Sequence, residues 1–159
     1  MRTASSVLLI LLATLLVGCG GSDPVTTGTL PVGRTVGADQ YLADAAIGAG
    51  AVRDFASVVA TLPDPATPVA LRAAAADLAG PLRAAEGASQ RLSAMRLEDQ
   101  RLEKQRAQSA SAYASVLAAM RRLEAAARAG NPVTARQAAI DLNTAATALR
   151  EVGTTTTGA

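Results

Sequence analysis

The chain of 159 residues contains no histidine and no tryptophan, and only one cysteine and one phenylalanine. Each shortage removes a class of chemistry. Without histidine the commonest general base and metal ligand are missing. A single cysteine forms no internal disulfide. Zinc and thiolate sites, and a haem that needs an axial histidine, are excluded in turn. No glycine-rich phosphate loop follows a strand-like segment, and no His or suitably placed Lys stands ready to activate the plentiful Ser and Thr. No catalytic residue, cofactor or metal site is predicted. Aromatics make up only 2 % of the chain, while 50 % is hydrophobic, mostly Ala, Leu and Val. Alanine buries little area but has the highest helix propensity. Runs of alternating β-branched residues are lacking, so the pattern predicts helices and no sheet.

The charge balance is equally sparing. The formal net charge is +2, from 15 basic and 13 acidic residues. Lys104 is the single lysine among many arginines. A nucleic-acid binder needs a stronger basic footprint than this. Arg121, Arg122 and Arg128 form a small basic cluster near the end of the third helical segment. Cations there complement the helix dipole.

What is present begins with the one cysteine, in LLVGCGGS at residues 15–22. Ahead of it lies VLLILLATLLV, residues 7–17, and Arg2 is the only charge before Asp23. A positive start followed by a short apolar run is the layout of a secretory signal. As a helix the run reaches roughly 17 Å. That is short against a hydrocarbon core of about 30 Å, so a permanent span is not expected.

Leu16-Val17-Gly18-Cys19 resembles the lipobox of bacterial lipoproteins. The resemblance covers the first 22 residues or so. It implies a diacylglyceryl group on the Cys19 sulfur and cleavage between Gly18 and Cys19, with palmitate-like acyl chains as the anchor. Two or more acyl chains hold a protein stably to a bilayer, where one does so only marginally. The implied location is the cell membrane, on its extracytoplasmic face, with membrane lipid as the first partner. Removing residues 1–18 takes Arg2 away and leaves 14 basic against 13 acidic residues.

Residues 19–37 include GGSDPVTTGTLPVGRTVG, rich in Gly, Thr and Pro and without periodicity, and read as a flexible tether. Residues 38–152 carry four apolar stripes. Tyr41, Ala45, Gly48, Val52, Phe55, Val59 and Leu62 recur at steps of three and four, which is helical spacing. Asp39 is the expected cap, and Pro63-Asp64-Pro65 the stop, for a helix over 39–62. Leu71, Ala75, Leu78, Leu82, Ala85, Ser89 and Leu92 mark a second helix over 68–92, capped by Thr67 with Pro68 at its first position. Gly80-Pro81 interrupts that helix without shifting its register, so a kink there is favoured over a stop. Met95, Asp99, Leu102, Arg106, Ser109, Tyr113, Val116, Met120, Leu123 and Ala127 continue over 95–129. The step from Leu92 to Met95 is out of phase. It marks either a hairpin near Ser93 and Ala94 or a distortion in one long helix. Length favours the hairpin, because an unbroken helix over 68–129 would span roughly 93 Å. Gly130-Asn131-Pro132 ends the third helix and starts the fourth, over 132–152, with the stripe Ala135, Ala138, Leu142, Ala145, Leu149 and Val152. Residues 153–159, ending GTTTTGA, read as a disordered tail.

Four stripes with short connections predict an all-α, antiparallel four-helix bundle. Gly48 and Gly50 each weaken the first helix by about 1 kcal/mol relative to alanine, which implies close approach of a partner helix. Met95 and Met120, at helical spacing, read as core filler. In RLEDQRLEKQR, residues 96–106, Glu98 with Arg101 and Glu103 with Arg106 stand three apart, as surface ion pairs do. Glu98, Asp99 and Arg106 form the candidate docking patch, since Asp99 and Arg106 fall on the inner stripe where a closed core would be apolar. The folded region is also similar to the Ala-rich helical domains of lipoproteins from high-GC Gram-positive bacteria, a likeness of composition and spacing. The expected function is a non-enzymatic, membrane-anchored interaction or structural module with an envelope protein as partner and no nucleic acid. The alternative is a module that holds an apolar or lipid-like ligand between its helices.

Overall fold

The computed structural model describes residues 34–154. Gly18, Cys19, the expected signal and most of the expected tether lie outside the described residues. The described chain is mostly helical. Strand β1 (Arg34–Val36) leads into helix α1 (Ala38–Ala60). Helix α2 (Pro68–Ala94) is followed at once by strand β2 (Met95–Leu97), then by α3 (Gln100–Ala129) and α4 (Pro132–Thr154). α4 thus runs two residues into the expected tail, and the rest of that tail lies outside the described residues.

The helix boundaries follow local chemistry. Thr67 is extended, and its hydroxyl accepts from the Ala70 N–H at 3.2 Å, with Pro68 where no N–H is needed. Gly130 ends α3 in the left-handed region at φ 64°. Its N–H donates to the Ala127 carbonyl, and that of Asn131 to the Ala126 carbonyl, both at 2.9 Å. Asn131 then starts α4 by accepting from the Thr134 N–H at 3.1 Å. α2 runs unbroken through Gly80-Pro81.

Four expectations are corrected. Asp39 does not cap α1: Gly37 holds that position without a side-chain bond, and Asp39 sits in the first turn. The third helix starts at Gln100, not at 95, because Met95–Leu97 is extended. The absence of sheet is overturned as well. β1 and β2 form a parallel ladder with Arg34 opposite Met95, Thr35 opposite Arg96 and Val36 opposite Leu97. The last residues assigned to the tether are therefore one strand of that ladder. Residues 95–97 alternate buried, exposed, buried, which is the period of a strand. α2 and α3 are separate helices, joined by β2 and two further residues.

Contacts run between neighbours in sequence. α1 packs on α2, α2 on α3, and α3 on α4, while α1 meets α3 over a much smaller area. The main core draws Phe55 from α1, Leu71 and Leu78 from α2, Val116, Met120 and Leu123 from α3, and Leu142 from α4. A smaller cluster lies at the ladder: Tyr41, Leu92, Met95 and Leu97, with Val36, Ala45 and Leu102 against it. Met95 and Met120 are both fully buried. Among the described residues, no helix is long and apolar enough to cross a membrane.

Candidate functional site

The polar residues singled out by the sequence gather where α2 hands over to α3. Asp99 caps α3, its Oδ1 accepting from the Leu102 N–H at 2.9 Å. A carboxylate there also meets the positive end of the helix dipole. Glu103, one turn on, reaches back to β2, where its Oε2 accepts from the Leu97 N–H at 3.0 Å. Arg106 grips the same carboxylate as a fork: Nε donates to Oε2 at 2.8 Å and Nη2 to Oε1 at 2.7 Å. Its third nitrogen, Nη1, donates to the Leu92 carbonyl at 2.9 Å, near the end of α2. The bond from Arg106 is the main reason the Glu103 pKa is lowered, with burial working against it and the Leu97 N–H adding to it. The Arg106 pKa is raised by the same bond to Glu103.

Glu98, Asp99 and Arg106 therefore do not converge on one surface. Glu98 and Asp99 are exposed in the connection ahead of α3, whereas Arg106 is buried and turned inward. Glu98 precedes the helix, so helical spacing does not bring it to Arg101. The Glu103–Arg106 pair does form, at 2.7 Å, but as a tie between three elements. An arginine on an inner stripe is accommodated here because its neighbours supply acceptors for Nε, Nη1 and Nη2.

A second polar junction was missed by the sequence reading. Asp44 of α1 is fully buried. Its Oδ1 accepts from Arg91 Nε at 2.6 Å and its Oδ2 from Gln40 Nε2 at 2.9 Å. The signal was present: Asp44 lies three residues after Tyr41 and four before Gly48, on the same helix face. Next to it, the Tyr113 hydroxyl of α3 donates to the Gly48 carbonyl at 2.9 Å. Burial pushes the Tyr113 pKa up to about 12, with Arg91 pulling weakly the other way. A Cβ on Gly48 would stand 3.0 Å from the Tyr113 hydroxyl oxygen, whereas one on Gly50 meets nothing within 4 Å. Close approach thus explains Gly48 but not Gly50.

The basic cluster near the end of α3 is tied to acids. Arg121 pairs with Glu86 at 2.7 Å, Arg122 with Asp141 at 3.1 Å, and Arg128 with the largely buried Glu124. Two of these pairs bridge different helices, a use that the dipole argument did not anticipate. Among the described residues, no three His, Cys, Asp or Glu side chains are grouped to hold a metal ion. The arrangement does mechanical chemistry: it fixes helix ends and a strand by matching charge to charge and donor to acceptor. No family model, curated protein or solved structure matches the chain.

Proposed function

We propose that this protein is a lipid-anchored extracytoplasmic module that acts by contact with another envelope protein, not by catalysis. The observation that carries the reading is Leu16-Val17-Gly18-Cys19, directly behind a short apolar run and a positive start. The four helices are read as an antiparallel bundle. Three pairs support that order: Asp44 near the start of α1 with Arg91 near the end of α2, Arg106 near the start of α3 with Leu92, and Arg122 of α3 with Asp141 of α4. Contact at the surface is favoured over a ligand held inside, because Phe55, Leu71, Leu78, Val116 and Met120 are each 0 % exposed and fill the core. Glu103 and Arg106 are engaged in structural bonds and Asp99 caps α3 through Oδ1, so the acidic part of a docking surface is the exposed Glu98 with the exposed side of Asp99.

Expression in a bacterial host with an alkyne-tagged fatty acid tests the anchor. The mature chain is expected to begin at an acylated Cys19 by mass spectrometry and to enter the detergent phase. Cys19→Ser is expected to remain unlabelled and uncleaved. A mature wild-type chain that carries no acyl group and stays in the aqueous phase overturns the proposal. Crosslinking in native membranes tests the partner, and recovery of no reproducible partner counts against the docking role.

A further inference from the structure

We draw no further inference here: the strongest candidate, the surface patch of exposed Val69 and Arg72 at the start of α2 and exposed Val133 and Arg136 at the start of α4, which meet where Arg72 lies against Gly130, carries nothing, because nothing in the structure shows what covers it.

Discussion

The half of α3 after Tyr113 and the half before it are held by different forces. After Tyr113, residues Val116, Met120, Leu123 and Ala127 are buried among apolar side chains from the other three helices. Before it, Arg106 is the residue of α3 buried most deeply, held by Glu103 and the Leu92 carbonyl, while Leu102 packs against the small cluster around Met95 and Leu97. The first half lives on area removed from water, which is nondirectional and tolerant of small shifts. The second lives on donors and acceptors in fixed geometry, where one lost partner leaves another stranded. The two halves should therefore fail differently when they are altered.

The sharpest break is expected in the core that the apolar half packs into. Phe55→Ala removes a ring that is 0 % exposed, and should lower stability by about 3–5 kcal/mol in urea unfolding. A loss below 1 kcal/mol would mean that this core is not the main support. Asp44→Ala tests directional holding. It strands Arg91, whose side chain is still 19 % exposed, so the expected loss is about 3 kcal/mol, at the low end for a broken buried pair. Asp44→Asn should recover part of it by keeping an acceptor for Arg91.

Stability against pH separates the halves further. Folded Tyr113 keeps its proton up to about 12, whereas an unfolded tyrosine releases it near 10. The unfolded state then binds fewer protons above pH 10, so stability falls between about 10 and 12, by about 2–3 kcal/mol in all. Tyr113→Phe should flatten that limb of the curve. Glu103 acts in the other direction. Its pKa is lowered in the fold, so its contribution is present above the ordinary carboxylate range and is lost as pH falls through it. Glu103→Gln should blunt the acid limb and leave the alkaline limb alone.

The smallest effects come from two neighbouring glycines. Gly48→Leu forces atoms against Tyr113 and should destabilise by about 1–3 kcal/mol. Gly50→Ala meets nothing and should raise stability by up to about 1 kcal/mol through helix propensity alone. A thermal melt of each decides it, and equal signs for the two would contradict the packing described at Gly48.

The same division explains what could be read in advance. Apolar spacing and end signals carry their own information, so Thr67-Pro68 and Gly130-Asn131-Pro132 marked boundaries to the residue. Of the stripe residues on α2, all but Ser89 are buried. The ladder was not legible, because three residues are too few to establish a period of two and its partner lies beyond both α1 and α2. Asp99 was placed on an inner stripe only because that stripe was carried across a strand. Arg106 was read correctly as anomalous on an inner stripe, but it is buried and does not join Glu98 and Asp99 in a surface patch. The pattern showed a charge among apolar positions, but not the carbonyl and carboxylate that receive it. Lipidation at Cys19 rests on motif and position alone, and lies outside the described residues.

The parallel pairing of Arg34–Val36 with Met95–Leu97 also decides how tension enters the molecule. A pull arriving from the N-terminal side is passed sideways into the α2–α3 corner before it is felt along α1. Those three paired positions are the first contacts that such a pull would have to part, because β1 precedes α1 and is tied across to the strand between α2 and α3.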